Sequence, residues 1–267
     1  MKRTIQFALT LLIATAPLAA DNLDPMTLSA EEGGLAIATE RDARDIGFHD
    51  FEAELRMVLR NRHGQESTRI LRSRTLEQEN DGDKSLVVFE APADINGTAL
   101  LTFSHKTGDD DQWLYLPALK RVKRISSSNK SGPFVGSEFA YEDISSQEIE
   151  EYTYKFLRPE ELDGRAMYVI EQYPVDPQSG YTRQVVWIDQ EELRNFRIDF
   201  YDRKDTLLKT LTYVNYQQYL GKYWRPDQMK MVNHQTGKST DLHWDNYQFQ
   251  IGLDEADFNR AVLARTR

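Results

Sequence analysis

The strongest constraint on this chain is a run of strict alternation at residues 51–60, FEAELRMVLR. It sets Phe51, Ala53, Leu55, Met57 and Leu59 on one side and Glu52, Glu54, Arg56 and Arg60 on the other. A period of two belongs to an extended strand whose successive side chains leave opposite faces, so the segment has one dry and one wet face. The pattern recurs along the chain. Asn61 to Gln65 turns it back into Thr68 to Leu76, which carries arginines at 69, 72 and 74, and the polar turn Asn80 to Lys84 leads to Leu86 to Phe89. After an interruption at Pro92 to Gly97, Ala99 to Phe103 resumes the sheet. Later strands carry Tyr152, Tyr154 and Phe156, then Met167 to Ile170, Val185 to Ile188, and Phe196, Ile198 and Phe200. Leu207 to Tyr219, Met229 to His234 and Thr240 to Phe249 complete the set, with Gly221 and Gly237 at the turns between them.

Helical spacing is scarce. Leu35, Ile37, Ala38 and Ile46 lie along one side of an amphipathic helix that ends near Gly47, its start blurred by Gly33-Gly34 because glycine weakens a helix interior. Asp254 caps a short final helix containing Phe258 and Val262. With no linker, repeat or low-complexity segment, the expectation is a mostly β fold of α+β type, about eleven antiparallel strands in a single domain over residues 21–267.

The most distinctive stretch is DDDQWLYLPALKRVKRISSSNKSGPFVGSEFAYED, Asp109 to Asp143. An aromatic-apolar strand, Trp113 to Leu116, turns at Pro117-Ala118 into a basic strand, and a Gly/Ser loop with Phe134, Phe139 and Tyr141 comes next. That order suggests an apolar site with a cationic rim. Lys120, Arg121, Lys123 and Arg124, interleaved with Val122 and Ile125, fit three roles: a solvated edge strand guarded by charge, a clasp for a lipid headgroup phosphate, or a dock for an acidic partner protein. Each aromatic residue fits either ordinary core packing or the wall of a cavity. Asp109-Asp110-Asp111 reads as an acidic turn between strands.

In DDQWLYLPALK, the basic strand after it and the KSG-F-GS-F-YED segment, the chain resembles the LolA-like outer-membrane lipoprotein-sorting proteins, specifically their longer WLYLPALK branch; the likeness runs more thinly from Phe51 to the C-terminus. The resemblance implies a strongly curved antiparallel half-barrel whose concave face is covered by helices, leaving an apolar cavity. Its wall is expected from Leu55, Met57, Trp113, Tyr115, Phe134, Phe139, Tyr154, Phe156, Trp187 and Phe196. It further implies a carrier that shields the acyl chains of a lipid or lipoprotein on the way to the outer membrane. An inner-membrane lipid exporter of the resistance-nodulation-division type is the expected donor. The longer branch widens the cargo from lipoprotein to phospholipid, hopanoid or another lipid. The same fold also serves, in RseB-like relatives, as a periplasmic sensor or interaction module that regulates a membrane partner, and both readings stay open.

The compartment is legible at the start of the chain. Lys2 and Arg3 precede an apolar run from Ile5 to Ala16 and a Pro17-Leu18-Ala19-Ala20 end, the three parts of a secretory signal peptide over residues 1–20, too short in its apolar run to span a bilayer. With no cysteine the exported chain has no site for N-terminal lipidation, no disulfide and no thiolate ligand, so a soluble periplasmic protein is expected. Residues 1–20 hold Lys2, Arg3 and no acid, so residues 21–267 carry 31 basic side chains against 43 acidic ones, a formal charge of −12. Such a surface repels a phosphate backbone and argues against nucleic acid. The histidines at 49, 63, 105, 234 and 243 have no metal-ligand spacing, and HExxH, GxSxG and Walker-type motifs are missing. The expectation is a protein that is not an enzyme and uses no cofactor or metal.

Overall fold

The computed structural model describes residues 24–264, so the expected signal peptide lies outside the described residues. The strands are β1 (Asp50–Arg60), β2 (Glu66–Leu76), β3 (Lys84–Ala91), β4 (Ala99–Phe103), β5 (Asp111–Leu116), β6 (Arg121–Ile125), β7 (Tyr152–Leu162), β8 (Arg165–Pro174), β9 (Tyr181–Asp189), β10 (Asn195–Asp202), β11 (Leu207–Tyr219), β12 (Tyr223–Asn233) and β13 (Ser239–Phe249). All thirteen belong to one antiparallel sheet, ordered β6-β5-β4-β3-β2-β1-β13-β12-β11-β10-β9-β8-β7. The chain therefore makes two meanders that meet where the first strand pairs with the last, Phe51 opposite Phe249 and Arg60 opposite Ser239. The count exceeds the expected eleven, and even the five-residue strands β4 and β6 hold a continuous register with their neighbours.

Hydrogen bonds across the molecule require the sheet to be strongly curved. Strands β5 and β9 are nine steps apart in the sheet order, roughly 43 Å if it were flat. Yet Gln112 of β5 donates to the carbonyl of Tyr141 at 3.1 Å while Tyr181 of β9 donates to the carboxylate of Asp143 at 2.8 Å, so two residues of chain span both contacts. Only a sheet bent most of the way round brings those strands so close. The segment 126–151, which links edge strand β6 to edge strand β7, crosses the concave side and buries Phe134 and Phe139 there.

Concave residues alternate along every strand and meet in one core: Leu55 and Met57, Leu71, Phe89, Leu100, Leu114, Ile125, Tyr154, Ile170, Val186 and Ile188, Ile198 and Phe200, Leu211, Met231 and Leu242. The convex face carries two smaller clusters. One joins Leu86, Ala99 and Leu101 to Phe258 and Leu263, the latter on the terminal helix α2 (Arg260–Leu263). The expected final helix is split: Asp254 caps a single 3-10 turn that ends before Phe258, and Asn259 caps the short α2 that carries Val262.

The first helix, α1 (Ala30–Asp45), starts at a capping box in which Ser29 and Glu32 satisfy each other's backbone N–H. Gly33 and Gly34, expected only to blur this start, are buried in the first turns because α1 lies directly on β7. A Cβ on Gly34 would stand 2.7 Å from the backbone N and C of Lys155. In an open helix Gly→Ala stabilises by about 1 kcal/mol. Here overpacking against a rigid backbone, worth about 1–3 kcal/mol, opposes and outweighs it. Gly34→Ala is therefore expected to lower the thermal midpoint by several degrees, checked by circular dichroism; an unchanged or raised midpoint would mean that α1 is not seated on β7.

Candidate functional site

Between the concave face and the crossing segment lies a cavity of about 440 Å³, within the range of small-molecule pockets. Leu55 and Met57 of β1, Leu71 of β2, Val87 of β3, Ile198 and Phe200 of β10, Leu211 and Tyr213 of β11, Met229 of β12 and Leu242 and Trp244 of β13 form its walls. Phe134, Phe139 and Ile144 of the crossing segment form its lid. The indole N–H groups of Trp224 and Trp244 in this wall are buried and find no acceptor among the described residues.

The lid is held by a buried polar anchor. Asp143 accepts from Lys209 Nζ at 2.6 Å, from Tyr181 OH at 2.8 Å and from the Ala140 N–H at 2.6 Å. Lys209, only 4 % exposed at its side chain, also donates to the Glu138 carbonyl at 3.1 Å and sits 5.1 Å from the ring centres of Tyr181 and Phe200. Arg69 of β2 donates to the carbonyl of Val135, a β-branched residue held at φ +46°.

At one end the cavity opens among Asp45, Asp83, Gln147, Asn195 and Arg225, and there it meets a second hollow of about 520 Å³. The two share Asp45, Gln147, Asn195, Tyr216, Trp224 and Arg225, and the charged residues that the second adds are Arg41, Asp42, Arg44, Glu192, Arg194 and Lys222. Most of these cations have partners: Arg194 pairs with Asp189 at 2.8 Å and lies 4.4 Å over the Trp224 ring, Arg225 pairs with Asp45 at 2.6 Å, and Arg44 pairs with Glu40 at 3.0 Å.

Of the residues expected to line the cavity, Leu55, Met57, Phe134 and Phe139 do so, while Tyr154 and Phe156 belong to the same core beneath α1. Trp113, Tyr115, Trp187 and Phe196 do not. Trp113 and Tyr115 alternate with the concave Leu114 and so pack on the convex face around Leu86 and Leu101. Trp187 alternates with Val186 and Ile188 and joins a convex cluster with Met167 and Val169. Phe196 would share the face of Ile198 by parity, but a bulge between Asn195 and Arg197 turns it to that same convex cluster. Conversely, Tyr213, Tyr216, Trp224 and Trp244 line the cavity although no sequence pattern singles them out. Tyr213 and Tyr216 share a face, their rings stacked at 6.4 Å, because Asn215 between them takes a left-handed backbone at φ +55°.

The basic strand is far from a single clasp. Lys120 sits in the turn before β6 in a left-handed conformation, and β6 is an edge strand whose Arg121, Val122, Lys123 and Arg124 are all exposed. Arg124 lies opposite Trp113 on the convex side and pairs with Asp111, whereas Lys123 lies opposite Leu114, so alternation splits the cations between faces. Lys120, Arg121 and Lys123 form no ion pair among the described residues.

Carboxylates gather beside the cavity mouth and the crossing segment, and burial raises them. Asp83 is pushed up to about 7, Glu148 to about 6 and Glu151 to about 7, in each case chiefly by loss of solvation. A raised carboxyl binds its proton more tightly folded than unfolded. The stabilisation from that proton is thus complete below about pH 4 and is lost as pH rises through about 7. Asp83→Asn, which keeps an oxygen to accept from the Gln78 N–H, is expected to unfold at a higher temperature than wild type at pH 8, with the difference shrinking towards pH 5. Equal midpoints at pH 8 would show that Asp83 is solvated.

A family model described as an uncharacterized protein matches residues 81–265. Among solved structures, a domain from Vibrio parahaemolyticus provisionally described as an outer membrane lipoprotein-sorting protein is 58 % identical, with a TM-score of 0.87 over 88 % of this chain and 100 % of that one. A DUF1329 family protein from Desulfovibrio piger is 33 % identical, with a TM-score of 0.84 over 88 % of this chain and 100 % of that one. A LolA superfamily protein from Nitrosomonas europaea shares the fold at 23 % identity, with a TM-score of 0.69 over 88 % of this chain and 99 % of that one. No curated protein matches the chain.

Proposed function

Because the chain belongs to the LolA-like family of outer-membrane lipoprotein-sorting proteins, we propose that it is a periplasmic carrier, not an enzyme, that holds the acyl chains of a lipid or lipoprotein in its concave cavity during transfer towards the outer membrane. The observation that carries this reading is the apolar cavity of about 440 Å³ under a lid that is part of the fold. At about 0.8 kcal/mol per buried methylene, ten methylenes stabilise a complex by about 8 kcal/mol, micromolar on the affinity scale before ordering costs. The signal-peptide pattern of residues 1–20 supports export. No helix among the described residues is long and apolar enough to cross a membrane.

Leu211→Trp together with Leu242→Trp tests the cavity, since both residues line it. Protein purified from the periplasm is extracted and its lipid quantified by mass spectrometry. Wild type is expected to carry lipid and the variant less than half as much, with little change in stability because the new rings occupy open space. A solid core would instead respond by a loss of about 1–3 kcal/mol and no change in lipid, and the carrier reading would fall.

The donor in this reading is an inner-membrane lipid exporter of the resistance-nodulation-division type, and the exposed edge β6 is the surface offered to it. Three cations that form no ion pair among the described residues, beside the backbone groups of an edge strand, suit an acidic partner, with the attraction acting mainly on encounter rate. Arg121→Glu with Lys123→Glu is expected to slow lipid transfer from donor membranes several-fold at low salt and to matter little at high salt, because exposed charges are screened over about 8 Å at physiological ionic strength. Unchanged transfer rates would reduce β6 to a charge-guarded sheet edge.

A further inference from the structure

The second hollow at the cavity mouth carries a chemistry that the apolar chamber lacks. Four arginines and a lysine, Arg41, Arg44, Arg194, Lys222 and Arg225, surround it, drawn from α1, the β9–β10 turn, the β11–β12 turn and the start of β12. Counter-charges take up most of them. Asp189 and Asp45 hold Arg194 and Arg225, Glu40 holds Arg44, and Lys222 donates to the Ile46 carbonyl. Arg41 differs. Half-buried on α1, it makes no ion pair among the described residues, and its polar contact is with the neutral side-chain oxygen of Asn195 at 3.2 Å. Asn195 lines both hollows, and its carbonyl accepts from Tyr216 OH at 2.5 Å, so Arg41 stands at the boundary between the charged vestibule and the apolar chamber.

A half-buried guanidinium whose fork is not closed by a carboxylate ion pair leaves donors for an anion, and its planar fork suits phosphate or carboxylate oxygens. Of the acids in the vestibule, Asp45 is committed to Arg225, and Asp42, the chain neighbour of Arg41, feels its charge but forms no ion pair with it. Glu192 is the remaining acid in the lining. The chamber beside it is walled largely by apolar and aromatic side chains, which suit acyl chains. We infer that the cargo is an anionic amphiphile, its acyl chains in the cavity and its anionic phosphate or carboxylate group bound by Arg41 in the vestibule. This rests on the carrier reading and adds the headgroup charge, the end of the cavity at which it lies and the residue that reads it. It moves the headgroup site away from the basic strand β6, whose cations lie on an open edge.

The test uses the full exported protein incubated with vesicles that donate dioleoyl phosphatidylglycerol, oleate or dioleoylglycerol, probes of equal chain length that differ in headgroup. Bound lipid is counted by mass spectrometry after the protein is separated from the vesicles. Wild type is expected to prefer phosphatidylglycerol or oleate over dioleoylglycerol about tenfold, and whichever anion is preferred names the source of the charge. Arg41→Gln should bring that ratio close to one, and Arg41→Lys should restore part of it. Asn195→Asp gives a second route that leaves the arginine in place: the new carboxylate neutralises Arg41 and should abolish the same preference. No preference in wild type, or one that survives both Arg41→Gln and Asn195→Asp, overturns the inference while leaving the carrier intact. Failure to capture any of the three lipids overturns the carrier reading itself, and this inference with it.

Discussion

The buried contact between Lys209 and Asp143, 2.6 Å apart and almost closed to solvent, is what the remaining architecture depends on. Asp143 belongs to the crossing segment and Lys209 to β11, so the pair fastens the lid to the middle of the sheet. Removing one partner from such a pair leaves an uncompensated buried charge, at a cost of about 3–5 kcal/mol. Tyr181, Glu138 and Thr240 extend the anchor to β9 and β13, while Gln112 ties the same segment to β5. The left-handed conformation of Val135 is tolerated within this network, its carbonyl taken by Arg69 and the neighbouring Phe134 packed at 5.7 Å from Phe89.

The cavity arises from a mismatch of areas. Thirteen strands bent round a common axis present more dry surface than one crossing segment and one helix can cover. α1 reaches the sheet through Gly33 and Gly34 and therefore packs close to β7, which covers the core at that edge and leaves the region between β1 and β11 open. Charged groups collect where the cavity meets the second hollow. Burial raises the carboxylates on one side of it, while aromatic rings and acids hold the arginines on the other. An apolar chamber with a charged mouth suits an amphiphile in the way that a uniformly apolar pocket would not.

Much of the fold is legible in the sequence because a strand writes its burial directly into its alternation. The β1 segment, the turns and the final meander all show it, and the pairing of each strand with its sequence neighbour comes from short connections. The aromatic residues of the central stretch are legible as buried but not as facing inward or outward. Both faces of this sheet carry apolar clusters, so hydrophobicity alone does not distinguish Leu114 from Trp113. The bulge at Asn195 and the left-handed Asn215 then reverse local parity in β10 and β11, and neither irregularity leaves a mark in composition.

What the amino-acid sequence settled by itself was local: extended segments, their turns and an acidic, cysteine-free chain, since each depends on residues near one another. The vestibule was decided only by tertiary structure. Arg41, Arg194 and Arg225 lie in three separate segments, and what distinguishes them is whether a carboxylate closes an ion pair with each guanidinium, Asp189 of the same turn for Arg194 and the distant Asp45 for Arg225. The basic strand, conspicuous in sequence because its charges are adjacent, is dispersed by the pleat onto both faces of an open edge. Charge density along a chain and charge density in space diverge wherever a strand alternates its side chains, and curvature of the sheet determines which distant charges meet.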